Sequence, residues 1–279
     1  MNTKKVLLQG KHIYKSYKQG TKSNQVLNDV NVEIYEGDFT VIMGSSGAGK
    51  STLLYCLSGM DSVSDGEVIY QGQEISRYRE KQMADLRTKE FGFVFQQTHL
   101  VSNLTLFENV AVAGYACRER KAKEVQEKAV ELLSRMCVED ARTRFPSQVS
   151  GGEAQRAAIA RAVINHPGLV FADEPTGALN KSNSEEVLGL LTDLHQEGQG
   201  IVMVTHDVRA ALHGTRILYM EDGRILDELL MGEYEEEDGE SMIDNRAMSY
   251  HRATPYNKAT PYNRAREKKI MDCLSSLHW

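Results

Sequence analysis

Phe39-Thr40-Val41-Ile42-Met43-Gly44-Ser45-Ser46-Gly47-Ala48-Gly49-Lys50-Ser51-Thr52-Leu53-Leu54-Tyr55-Cys56-Leu57 passes without a break from a β-branched apolar run, through a glycine-rich turn, into an apolar helical run. Its centre, Gly44 to Ser51, has the spacing G-x-x-x-x-G-K-S. A triphosphate calls for these residue types. Its negative charges need close backbone N–H groups, and glycines permit both the backbone geometry and the approach. The helix that follows points its positive end at the same place. Lys50 adds a full positive charge for the β- and γ-phosphates, and the Ser51 hydroxyl is placed to bind Mg²⁺. The expected nucleotide-binding run is therefore Gly44, Ser45, Ser46, Gly47, Ala48, Gly49, Lys50, Ser51 and Thr52. Its place after a strand and before a helix separates it from a chance match.

Two more apolar runs read as strands. Gly168-Leu169-Val170-Phe171-Ala172 ends at Asp173-Glu174, and Ile201-Val202-Met203-Val204 ends at Thr205-His206-Asp207. Near-continuous apolar strands separated by helices predict a parallel sheet covered on both faces. Asp173, at a strand end, can hold Mg²⁺. Glu174 follows and can polarise an attacking water. His206 ends a neighbouring strand, where ligands of such sheets sit. Taken alone, an Asp-Glu pair reads as two solvated acids. The glycine loop and the downstream His change that reading.

Ser150-Gly151-Gly152-Glu153 opens another helix. Ser150 suits an N-cap, and Glu153, three residues on, suits a capping box. Capping alone accounts for the pattern, yet a second glycine-rich helix start also offers a second phosphate clamp. Between these motifs, residues 80–165 read as an inserted helical subdomain. Val125, Ala129, Leu132, Leu133 and Met136 share one helical face. Glu124 and Lys128, four apart, are expected to pair on the outer side.

The chain has 279 residues, a hydrophobic fraction of 41%, a charged fraction of 26% and a net charge of -6. This is the range of a globular protein, and it argues against a nucleic-acid partner bound over the whole surface. No run of 18 apolar residues occurs. The basic start, Met1 to Lys5, is followed only by Val6-Leu7-Leu8, too short for a signal-peptide core. A cytoplasmic location is expected. Cys56, Cys117, Cys137 and Cys273 form no Cys-x-x-Cys pair and are expected to be reduced and mostly packed. The chain divides into residues 1–230, the nucleotide-binding domain, and 231–279, an acidic and then basic tail. Residues 233–240 hold six acidic residues in eight, and Ala-Thr-Pro-Tyr-Asn occurs at 253–257 and 259–263. The tail reads as solvated and flexible. Arg264 to Trp279 also offers a docking helix, with Ile270, Met271, Leu274 and Leu277 on one side.

At Ser150-Gly151-Gly152-Glu153-Ala154-Gln155-Arg156 the chain resembles the signature motif of ATP-binding cassette (ABC) ATPase subunits. The resemblance runs over about residues 8–228. It is strongest to subunits serving macrolide export, lipoprotein release and antimicrobial-peptide transport, through Phe93-Val94-Phe95-Gln96-Gln97, Leu104 to Val110, and Ala172 to Leu179. It implies a P-loop NTPase α/β fold with a parallel-sheet core, an antiparallel β subdomain and an inserted helical subdomain. It further implies that Tyr17 stacks on adenine and that Gln96 senses Mg²⁺ and the attacking water and links to a membrane partner. His206 is implied to contact the γ-phosphate. Two copies would close so that Ser150, Gly151, Gly152 and Glu153 of one meet the ATP held by Lys50 of the other. The sequence departs from the family at Asn180, where Asp is usual, at Val149, where Leu is usual, and at Glu153, where Gln is usual. The implied role is the ATPase of a transporter, with ATP and Mg²⁺ bound, sited on the cytoplasmic face of the membrane through separate permease subunits. Two other classes compete: a signalling or force-transmitting membrane complex, and a soluble ATPase of DNA repair or translation.

Overall fold

The computed structural model describes residues 5–276 except 21, 119, 233 and 235–260. The run from Phe39 to Leu57 forms strand β3, Phe39–Met43, and helix α1, Lys50–Leu57. Before it come the long strands β1, Val6–Gln19, and β2, Lys22–Tyr35. After it come β4, Asp65–Tyr70, β5, Gln73–Glu74, α2, Glu80–Glu90, and β6, Phe91–Phe95. Three helices follow: α3, Leu106–Ala116, α4, Ala122–Arg135, and α5, Gly151–Val163. The chain then returns to the sheet through β7, Leu169–Asp173, α6, Lys181–Gln196, and β8, Gly200–Val204. It closes with α7, Val208–Ala211, β9, Arg216–Glu221, β10, Arg224–Leu230, and α8, Pro261–Ser276.

Two sheets result. The first is antiparallel, in the order β2-β1-β4-β5. The second has the order β10-β9-β3-β8-β7-β6 and is parallel from β9 to β6, with β10 as an antiparallel edge. The parallel core and the antiparallel sheet are those expected. Alternate residues of each central strand leave by opposite faces. On one face Ile42, Phe171, Val202 and Leu218 join α1 and the antiparallel sheet in a core with Leu8, Ile13 and Leu54. On the other face Val41, Met43, Ala172 and Met203 join α3 to α6. Both faces being dry explains why these strands read as unbroken apolar runs rather than as alternating ones.

The α4 face is as read: Val125, Ala129, Leu132, Leu133 and Met136 are all buried. The expected Glu124–Lys128 pair does not form. The Lys128 ammonium lies 2.7 Å from Glu131, one turn on, while the Glu124 carboxylate accepts from the Lys121 N–H at the helix start. Helix-start donors have no partner within the helix, so they draw this carboxylate inward. The range read as helical, 80–165, also contains β6, an edge strand of the central sheet. Cys56 and Cys117 are buried, Cys273 is half-buried and Cys137 is exposed, and all four are free thiols.

Helix α8 packs on the body of the domain, and the buried positions are Arg266, Ile270 and Leu274, four residues apart. Met271, which the sequence placed on this face, is exposed, and Leu277 lies outside the described residues. The 2.9 Å and 3.0 Å bonds from the Arg266 guanidinium go to the carbonyls of Met231 and Gly232, and two of 2.7 Å go to those of Leu212 and Gly214. One cation thus ties the exit of α7 to the end of the β9–β10 hairpin. Beside it His213 stacks on Tyr234 with ring centroids 4.3 Å apart, and burial, with the Arg266 charge, pushes His213 down to about 3. Arg266→Met keeps the stem and removes the donors. We expect it to cost about 2–4 kcal/mol, the size of several lost bonds to a charged group, and to lower Tm by roughly 5–10 °C in thermal unfolding. An unchanged Tm would show that the Arg266 bonds contribute nothing to stability.

Candidate active site

Register builds the site. Ile42 of β3 and Asp173 of β7 both lie beside Val204 of β8, which runs between them, and Phe95 of β6 lies beside Asp173. The residues that follow these strand ends, Gly44, Gln96, Glu174 and His206, therefore emerge at one edge of the sheet. Strands far apart in sequence are brought to a common ledge by hydrogen-bond pairing alone.

The loop after β3 wraps its own lysine. Lys50 is buried, and its ammonium donates to the carbonyls of Gly44 at 2.8 Å and Ser45 at 2.9 Å. Burial lowers its pKa, and the charges of Glu174 and Asp173 act against that shift. Gly44 permits a close approach: a Cβ there would fall 2.0 Å from the Met220 carbonyl oxygen. Gly49, the residue before α1, has φ 97, where only glycine sits without strain. Ser46 and Gly47 are exposed at the tip of the loop, and Ala48 packs beneath it.

Asp173 is held from α1. The hydroxyls of Ser51 and Tyr55, one helical turn apart, donate to its two oxygens at 2.8 Å and 2.5 Å. Burial, then the bond to Asp173, raises the pKa of the Tyr55 phenol. Tyr55 was not among the expected site residues, because nothing in its local sequence marks it. Ser51 and Asp173 form a set of hard oxygen donors, which suits Mg²⁺; that ion takes one or two protein ligands and keeps several waters.

Glu174 has φ 47, the left-handed region that a non-glycine residue adopts at a cost of about 1–2 kcal/mol. Its N–H donates to the Val204 carbonyl, and its own carbonyl accepts from the Gly177 N–H. The turned backbone carries the carboxylate toward β8. There Thr205 Oγ1 donates to Oε2 at 3.3 Å, and His206 Nδ1 lies 2.7 Å from Oε1. Asp173 and Glu174, adjacent in sequence, thus face different partners. Gln96 is exposed and lies against Gly177, where a Cβ would meet its Nε2 at 2.9 Å.

Ser150 caps α5 as expected. Its hydroxyl accepts from the Glu153 N–H at 3.2 Å, and its own N–H donates to the Glu153 carboxylate at 2.8 Å. The Ser150 N–H, then its hydroxyl, hold that carboxyl below the usual carboxylate range. Gly151 is exposed beside Ser150. Gly152 has a packing reason: a Cβ would fall 2.6 Å from the Asn183 side chain. Gln155 is buried and donates to the carbonyls of Phe95 at 2.9 Å and Pro175 at 2.8 Å, which fixes α5 to the ends of β6 and β7. Asn180 caps α6 by accepting from the Asn183 N–H at 3.0 Å, and Asn serves there as well as Asp would.

Tyr17 stands on β1, exposed, with its hydroxyl donating to Asp61 at 2.7 Å. Burial, with this bond, pushes the phenol up to about 12.

Comparison with known proteins bears on the family and the fold. The ABC transporter family profile matches residues 27–177. The macrolide export ATP-binding/permease protein MacB of Pasteurella multocida (strain Pm70) is 42% identical over 220 residues, which is 79% of this chain and 34% of MacB. The chain therefore spans about a third of that relative's length. Among solved structures, the ATP-binding cassette MJ0796, a dimer in a post-hydrolysis state bound to ADP and Pi, superposes with a TM-score of 0.76 at 36% identity. That match covers 80% of this chain and 98% of the other. CbiO1 from Clostridium perfringens, part of the ABC transporter complex cbiONQ, superposes with a TM-score of 0.71 at 26% identity over 80% and 88% of the two chains. The chain belongs to the ABC transporter family, as an ATP-binding and ATP-hydrolysing cassette.

Proposed function

We propose that this chain is the energising subunit of a membrane transporter that exports or extracts a peptide, lipoprotein, lipid or hydrophobic drug. The observation that carries the hydrolytic part is the Glu174 carboxylate, held by His206 and Thr205 on the same sheet edge as Lys50. In this reading Lys50 and the loop N–H groups bind the phosphates. Glu174 takes a proton from the attacking water, and His206 orients that carboxylate and meets the γ-phosphate. Mg²⁺, when held by Ser51 and Asp173, neutralises phosphate charge. Gln96, beside Gly177, reports the state of this centre outward.

Two copies then face each other, each Ser150 helix start closing on the partner's nucleotide. The dimer of the similar MJ0796 cassette supports an assembly of two copies. The export reading draws on the likeness to MacB, a macrolide export ATP-binding/permease protein, and the proposed partner is an integral membrane permease. Among the described residues no helix is long and apolar enough to cross a membrane. A contact surface for such a permease is offered by Val101 and Phe145, both large, apolar and exposed. The segments that carry them are tied together by the bond from the Leu106 N–H to the Arg144 carbonyl. The location proposed is the cytoplasmic face of the membrane.

The test is purification of the full chain from solubilised membranes. An integral membrane protein should co-purify. Val101→Asp with Phe145→Asp should lose it while keeping the basal ATPase rate. Recovery in a stable complex with ribosomes or DNA, without membrane protein, would contradict the transporter reading.

A further inference from the structure

The strongest unassigned cluster lies under Tyr17. Lys15 is buried, only 6% exposed, on the same strand. Its ammonium donates to Asp61 Oδ1 at 2.6 Å and to the Ser62 carbonyl at 2.5 Å. Asp61 Oδ2 accepts from the Tyr17 hydroxyl, so the two oxygens of one carboxylate serve two different residues. The Lys15 ammonium also lies over the Tyr17 ring, 4.9 Å from its centroid. A buried charge is costly unless paired, and this pairing leaves the phenol ring with one covered face.

The same cluster touches the phosphate loop's helix. The N–H of Asp61 donates to the Tyr55 carbonyl near the end of α1. Tyr17 is thus held, through Asp61, by the helix whose first residue is Lys50. A ring on a free side chain would swing about its χ angles. Here the hydroxyl is pinned at its far end and a cation sits against one face, which presents the other face in a fixed direction.

We propose that Asp61 and Lys15 are positioning residues for the nucleobase, bracing the Tyr17 ring so that its uncovered face receives a planar aromatic base while the phosphates sit on the loop. The proposal rests on the reading of Tyr17 as the base-stacking residue. The brace acts only on the base, so a ligand of phosphates alone is indifferent to it. A general loss of folding would weaken both kinds of ligand.

The experiment is calorimetric titration of the full chain with ADP and, separately, with inorganic tripolyphosphate. Tyr17→Phe keeps the ring and removes its hydroxyl; Asp61→Ala and Lys15→Met remove the two halves of the brace. Each is expected to weaken ADP about three- to tenfold, the range of one lost hydrogen bond, and to leave tripolyphosphate affinity unchanged. Tyr17→Ala serves as the reference and is expected to weaken ADP about tenfold or more. If Tyr17→Ala weakens ADP and the other three do not, the brace is overturned and the stacking reading stands. Unaltered ADP affinity in Tyr17→Ala overturns the stacking reading, and the brace with it. Equal losses for ADP and tripolyphosphate overturn the proposal by locating the effect in the loop or the fold.

Discussion

Glu174→Gln is expected to lose about 10²–10⁴-fold in turnover while ATP affinity stays near its original value. The two side chains have the same shape, so the seat between Thr205 and His206 can be kept. What is lost is the proton acceptor. An amide cannot take a proton from water, and the barrier rises by about 3–5 kcal/mol, which is the same change expressed as energy. Binding should persist because Lys50, the loop and Ser51 are untouched. Steady-state hydrolysis, measured beside nucleotide calorimetry, separates the two. Near-original turnover would reject Glu174 as the base.

Lys50→Ala should act on the other quantity. The ammonium is the charge that the loop folds around, bonded to the carbonyls of Gly44 and Ser45. Removing it deletes a charge-assisted contact to phosphate and leaves two carbonyl dipoles without their shared donor. Losing one side of a buried charged contact costs about 2–5 kcal/mol, or roughly 30- to several thousand-fold in affinity. Calorimetry with ATP reads this directly, and a Tm measured in parallel shows whether the fold survives. Unchanged affinity would remove Lys50 from the phosphate site.

These outcomes rest on residues legible before any coordinates. β3, β7 and β8 are buried on both faces, so they appear in the sequence as unbroken apolar runs with chemistry at their ends. The glycine loop and the Ser150 cap are local patterns, and local patterns survive in one dimension. β6 was harder to see. It begins at Phe91 directly after α2 ends at Glu90, with no turn residue to announce the change. The β9–β10 hairpin turns at Asp222 and Gly223, both with positive φ, and an Asp-Gly pair is a good short-range hairpin signal. The supporting residues could not have been found locally. Tyr55 meets Asp173 across 118 positions, Gln155 meets Phe95 across 60, and Lys15 meets Asp61 across 46. Packing of α1, α5 and the loop after α1 against the strands, rather than spacing along the chain, makes those contacts.

Asn180 shows a different limit. In sequence it is a lost charge within an acidic family position. In the fold its side chain caps α6, and the amide oxygen performs that task without charge. The departure therefore leaves the cap of helix α6 intact.

The central claim is that Lys50 and Ser150 are halves of one site, completed by a second copy. Light scattering of the full-length Glu174→Gln chain, with ATP and Mg²⁺ and then with ADP, tests it most directly. The expected result is the mass of a dimer with ATP and of a monomer with ADP, with Ser150→Arg abolishing the dimer. A monomer under both conditions, with ATP shown by calorimetry to be bound, would contradict it.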